Sequence, residues 1–291
     1  MGSSAGPCVE PETLYNDSLQ ELCKNKNFLL GKGTINMKKL RFIDLSTPME
    51  NKANEPRPPE ITYVDHKAFL ETNVKLTGLN REDFHDGLGS AMEYVKVSSH
   101  SATHMDAPYH YGPIVEGKLA MTIDRVPLEW CYGDGVVIDM RHRHRGDEIT
   151  VKDFQEALKK IGYTLKAGDI ILIMTGLDKQ RDNPDYPRLH PGMSKAAVLW
   201  LIEQGIRMMG IDAFGFDRPF DVMAAEFRKG NREALFPAHH LAGRQKEYCH
   251  MEQLSNLDKI PRPFGFKVVC FPINIAGASG GWVRPVAIIE E

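Results

Sequence analysis

Gly168-Asp169-Ile170-Ile171-Leu172-Ile173-Met174-Thr175-Gly176 is the stretch whose reading decides the fold class. Its apolar residues form a near-continuous run between two glycines, the pattern of a strand in a sheet covered on both faces. Upstream, Thr150 to Lys160 reads as a helix, with Thr150 as N-cap and Asp153 three residues on. Lys159 and Lys160 suit the negative end of its dipole. Before that helix, Gly133-Asp134-Gly135-Val136-Val137-Ile138-Asp139-Met140 reads as a turn running into a buried strand. Downstream, Pro191 to Ser194 opens a helix over Lys195 to Gln204, stopped by Gly205, and Arg207 to Asp212 is another strand. Strands and helices alternate from 133 to 212, so the fold class is α/β.

Towards the N-terminus, Leu40-Arg41-Phe42-Ile43-Asp44-Leu45-Ser46 is a first strand, and the proline-rich residues 51–62 are a loop. Residues 64–90 read as an insertion before a strand at Glu93-Tyr94-Val95-Lys96-Val97. Residues 1–37 carry only a weak helical period and read as an accessory arm, leaving 38–291 as one large domain. Towards the C-terminus, 218–236 reads as a second insertion or lid, followed by a strand at 266–271.

Across 291 residues, 42% hydrophobic and 26% charged content is enough for a large core. A net charge of −3 gives no case for nucleic acid or an anionic membrane as partner, and no apolar run approaches a membrane span. The first seven residues lack the basic start and apolar stretch of a signal peptide. Five scattered cysteines without a Cys-x-x-Cys pair read as free thiols in a reducing cytoplasm.

The chemistry concentrates in Ser99-His100-Ser101-Ala102-Thr103-His104-Met105-Asp106-Ala107-Pro108-Tyr109-His110. Three histidines and one aspartate fall within eleven residues. Imidazole and carboxylate together are what a divalent ion such as zinc or manganese accepts. Pro108 and the small residues argue against a long helix, so a strand breaking into a loop is expected, with His104 and Asp106 on one side.

This run resembles the signature of the cyclase-like metal-dependent hydrolases, the family of bacterial kynurenine formamidase and isatin hydrolase. That signature reads His-x-Gly-Thr-His-x-Asp-x-Pro-x-His, and the chain departs from it only at Ala102, where glycine is usual. A second signature pairs a histidine with a glutamate twelve residues later, within Glu-Asn-Leu-x-Asn-Leu. Glu252-Gln253-Leu254-Ser255-Asn256-Leu257 is similar to it, and counting back twelve from Glu252 gives His240. His239 is a rival, and strand alternation would also allow His250. The resemblance implies a swivelling β/β/α body and two divalent ions, zinc or manganese, per chain. His100, His104 and Asp106 would hold the first. Asp106 and Glu252 would bridge to the second, held also by His240, and His110 would be the general acid/base. Asp212 and Asp217 sit where the family has aspartates of a structural kind. The implied activity is hydrolysis of an amide, lactam or lactone bond in a small molecule, by a homodimer or homotetramer. The formamidases carry a Trp-Pro-Gly-Asp loop near the start, and no tryptophan stands in residues 51–62 here. An isatin-type lactam is therefore the close alternative to an aryl formamide. An intramolecular cyclase of the polyketide kind is a more distant one.

Overall fold

The computed structural model describes residues 39–291 apart from Lys52. The 1–37 arm lies outside the described residues. Residues Leu40–Glu291 form one compact unit.

The strands in chain order are β1 (Leu40–Asp44), β2 (Glu60–Val64), β3 (Met92–Lys96), β4 (His104–Asp106), β5 (Ile114–Val115), β6 (Lys118–Leu119), β7 (Tyr132–Asp139) and β8 (Glu148–Ile149). They continue as β9 (Ile170–Met174), β10 (Gly192–Met193), β11 (Met208–Ile211), β12 (Cys249–Glu252), β13 (Phe266–Val269), β14 (Gly280–Trp282) and β15 (Val286–Glu290). Nine of them build one sheet in the order β1-β15-β13-β7-β9-β11-β12-β4-β14. Its centre, β7-β9-β11-β12, is parallel, and the pairs on either side are antiparallel. The result is a mixed α/β fold.

Every residue of β9 is buried, as its unbroken apolar run requires. Its side chains alternate between two cores. Ile171 and Ile173 face one, into which the Val151–Ile161 and Lys195–Glu203 helices insert Phe154, Leu158, Val198 and Leu201. Ile170, Leu172 and Met174 face the other, which also takes Ile43, Met105, Met251, Val268 and Ala287 from strands across the sheet. Strands that far apart share one core because the sheet curls around it. The Thr150 N-cap and Asp153 make a reciprocal capping box, and Gly162 closes that helix in the left-handed conformation.

Two segments differ from the sequence reading. The strand expected at 93–97 forms as β3, but it pairs with β2 in a separate two-stranded ribbon, and the 64–90 insertion holds a helix, His66–Thr77. β3 is exposed along its whole length, so it has no face to bury in the large sheet. The short β4 enters the sheet instead, because Met105 fills the core while its neighbours turn the other way. Within 218–236 there is a helix, Phe220–Arg228, and the residues after it, Pro237–Ala242, wind as a π-helix. Among the described residues no helix is long and apolar enough to cross a membrane.

Candidate metal centre

Strands β4 and β12 lie antiparallel, with His250 opposite Asp106 and Glu252 opposite His104. Period-two alternation puts these four residues on one face and Met105 and Met251 on the other, in the core. A slip of one residue would exchange the four polar groups for methionines, so core burial locks the register.

Three further histidines converge on this face. His100 Nδ1 lies 2.7 Å from Asp106 Oδ1. His110 Nε2 lies 3.6 Å from Asp106 Oδ2, with its ring 4.0 Å from that of His100. His239 Nε2 lies 3.2 Å from Asp106 Oδ2 and 3.8 Å from Glu252 Oε1. The nitrogens and oxygens of Asp106, His239, His250 and Glu252 form one tight group, and those of His100, Asp106 and His110 another. Asp106 belongs to both. His104 Nε2 stands beside them, 3.4 Å from Asp106 and 3.7 Å from Glu252.

The expected distal ligand, His240, is in neither group; its ring packs 4.6 Å from Phe236. The π-helix accounts for the placement. Leu241 donates to Phe236 and Gly243 to Ala238, each an i→i+5 bond. Such a turn holds one residue more than an α turn. The histidine facing the carboxylates is therefore thirteen residues before Glu252, at His239, where a count of twelve reaches His240.

The ring nitrogens are assigned by their partners. His104 Nδ1 donates to the Ala102 carbonyl at 2.9 Å, so Nε2 is the nitrogen that faces the carboxylates. His239 Nδ1 donates to Asp217 at 2.7 Å, with the same result. Asp217 also accepts from the Ala238 amide at 2.7 Å, so one carboxylate both fixes the start of the π-helix and aims the ring. Carboxylate–histidine pairs of this kind orient the histidines of metal sites. Ala102 adopts φ +51, the left-handed region that costs a non-glycine residue about 1–2 kcal/mol. That strained residue places the carbonyl that holds His104. Asp212, the other aspartate of the Gly-Ile-Asp segment, accepts from Thr175 and Gly176 and does not join the cluster.

Asp106 and Glu252 are both buried, and among the described residues no lysine or arginine pairs with either. Burial alone would raise their pKa values. The imidazoles of His110, His100, His104 and His239 overcome it and hold Asp106 well below the carboxylate range. For Glu252 burial is likewise overcome, chiefly by His250, and the group sits at about 2. Burial pushes His104 down, but Asp106 and Glu252 outweigh it and lift the ring to about 9. Two buried anions ringed by imidazoles, whose carboxylate-facing protons a bound cation would displace, are the donor set of a divalent cation.

His110 differs from the rest. Its side chain keeps 35% of its surface open. Burial lowers its pKa, Asp106 pulls the other way, and repulsion from His100 and His239 leaves it at about 4. A depression of about 860 Å³ elsewhere, lined by Arg141, His142, Lys160 and Asp258, shares no residue with this cluster.

Sequence reading did not single out Tyr111, Asp217 as the orienter of His239, or Ser279, which meets His100 Nε2 at 2.9 Å. Ser279 stands in the glycine-rich tail, where a Cβ on Gly280 would come within 2.6 Å of His100. Those glycines let β14 lie against β4 behind the ligand loop, and nothing local announces that contact.

The pattern of a family described as "Putative cyclase" matches residues 43–218. An isatin hydrolase from Roseibium aggregatum is 26% identical over 71% of this chain and 78% of its own length. A kynurenine formamidase from Bacillus thuringiensis is 22% identical over 86% of this chain and 98% of its own. The solved structure of isatin hydrolase A from Labrenzia aggregata, bound to benzyl benzoate, superposes with a TM-score of 0.66, at 22% identity, covering 96% of this chain and 100% of that one.

Proposed function

On the premise that this chain belongs to the cyclase family, we propose that it is a metal-dependent hydrolase that opens an amide, lactam or lactone bond of a small cyclic or aromatic substrate. The observation that carries the reading is the pair of buried carboxylates, Asp106 and Glu252, facing five imidazoles with no lysine or arginine paired to them among the described residues. His100, His104 and Asp106 would hold one cation, and Asp106, His239 and Glu252 a second. Zinc or manganese in these positions would supply an activated water near neutral pH and a Lewis acid for the carbonyl.

The chain's own residues supply the rest. His110 is the most solvent-open of the histidines within reach of Asp106. Held at about 4, it is neutral at physiological pH and ready to take a proton from the attacking water. It can then pass that proton to the departing nitrogen or oxygen. Asp106 holds the opposite charge beside it and stabilises the protonated ring.

Between substrates, the lactam is favoured. The isatin hydrolase is the nearer in identity of the two relatives, and the chain has no tryptophan in the 51–62 loop. The test is to load purified protein with zinc or manganese and assay isatin, an N-formyl arylamine and an aryl lactone, weighing the product. Ring opening of isatin with gain of one water is the expected outcome. Turnover of the formamide alone would move the assignment to the formamidases, and a product without added water would make the protein a cyclase.

A further inference from the structure

His250 is completely buried, and its Nε2 has no hydrogen-bond partner. That nitrogen lies 3.2 Å from Asp106 Oδ2 and 3.4 Å from Glu252 Oε1. His239 Nε2 meets the same two oxygens at 3.2 and 3.8 Å. Donors bonded at roughly 2.0–2.2 Å to one tetrahedral cation stand about 3.3–3.6 Å apart, and these four histidine–carboxylate spacings of 3.2 to 3.8 Å bracket that range. An imidazole sealed in the core with an idle nitrogen costs stability unless something occupies it.

The other nitrogen says which form the ring takes. His250 Nδ1 lies 3.0 Å from the Tyr111 hydroxyl, and that hydroxyl has a second neighbour, the Asp106 carbonyl oxygen, at 3.4 Å. A carbonyl only accepts, so the hydroxyl proton goes to it, and Tyr111 oxygen accepts from His250 Nδ1–H. Nε2 is then the nitrogen that faces the carboxylates, placed to give its lone pair to a cation held between them. Phe216 stacks on the imidazole 4.1 Å away and Tyr111 5.5 Å away, fixing the plane of the ring. The Phe216 amide also donates to Glu252 Oε1 at 2.7 Å, so the same loop holds two of the four donors.

We propose that His250 is a metal ligand, oriented by Tyr111, and that it completes an all-protein site of Asp106, His239, His250 and Glu252. This rests on the metal-dependent reading above. The family signature supplies no donor at this position, so the site goes beyond what the resemblance implies. The consequence is an asymmetric centre. Four protein donors close the second position in the manner of a structural ion. The first position, with His100, His104 and Asp106, keeps a vacancy for water or substrate, in the manner of a catalytic one. The closed site should hold its ion tightly and the open one loosely.

The test measures metal, not turnover. Protein loaded with zinc is dialysed against a chromophoric chelator and its content determined; cobalt is then substituted and the visible absorption recorded. Wild type is expected to retain one equivalent and to show the intense absorption of tetrahedral cobalt. His250→Gln should lose that equivalent at chelator levels at least 10-fold lower and show a weakened cobalt band. Tyr111→Phe, which removes only the orienting oxygen, should weaken retention roughly 10–100-fold, the usual effect of removing such a partner. If His250→Gln fails to fold, Tyr111→Phe decides. Variants that retain metal and colour as wild type does would overturn the assignment of His250 while leaving the hydrolase reading intact. Wild type that binds neither zinc nor cobalt would overturn both.

Discussion

Asp106 is approached from two sides that are built differently. On one side His100, His104 and His110 arrive from a single run of eleven residues. Their placement needs a three-residue strand, one left-handed alanine and one turn at Pro108. On the other side His239, His250 and Glu252 arrive from a π-helix and from β12, more than 130 residues away in sequence. Their placement needs the β4–β12 register, the Asp217 anchor and the Phe216 and Tyr111 rings. The local side is open to solvent at His110, whereas the distant side is sealed at His250. A site assembled from both can keep one position reactive and the other fixed, because access is decided by which side provides the donors.

The most severe way to break the contrast is to remove what the two sides share. Asp106→Asn should weaken metal retention at both positions by more than 10²-fold, beyond the 10–100-fold typical of a supporting contact, and abolish turnover with it. Chelator competition checks this; retention of either ion at wild-type strength would mean that the two sides do not depend on one carboxylate.

Next comes a change confined to the open side. His110→Ala should keep its metal and lose roughly 10²–10⁴-fold in kcat, the contribution of a placed proton carrier. The acidic limb of the pH–rate profile, set by protonation of a base held at about 4, should vanish as well. Loss of one metal equivalent instead would turn His110 into a ligand.

A paired comparison sharpens the sealed side. His239→Ala should reduce metal affinity at least 10-fold, whereas His240→Ala, one residue on, should leave it unchanged. The reverse result would restore the twelve-residue count and deny the π turn its role. The smallest expected effect lies under His104. Ala102→Gly relieves about 1–2 kcal/mol of left-handed strain and returns about 0.5–1 kcal/mol through a looser unfolded chain. A net gain of up to about 1.5 kcal/mol should raise Tm by up to about 4 °C in a chain of this size. A fall in Tm would mean that the alanine methyl packs usefully in the buried loop.

The α/β class was legible because β9 is wholly apolar and the Val151–Ile161 helix carries its own cap, both properties of neighbouring residues. The grouping of His100, His104, Asp106 and His110 about one point was legible for the same reason: eleven residues cannot separate far, and alternation puts His104 and Asp106 on one side. For the distant histidine the twelve-residue count from Glu252 selects His240, whereas the structure brings His239 and His250 to the carboxylates. The choice depends on whether residues 237–242 wind with four or five residues per hydrogen-bonded turn, which Asp217 settles from another segment. For His250 it depends on Met105 and Met251 being buried together, which fixes the register of two strands 146 residues apart at their facing centres. Local residue order determined the chemistry available at Asp106. Only long-range packing decided which distant imidazoles meet it, because a ring's direction there follows from burial on the opposite face of the sheet.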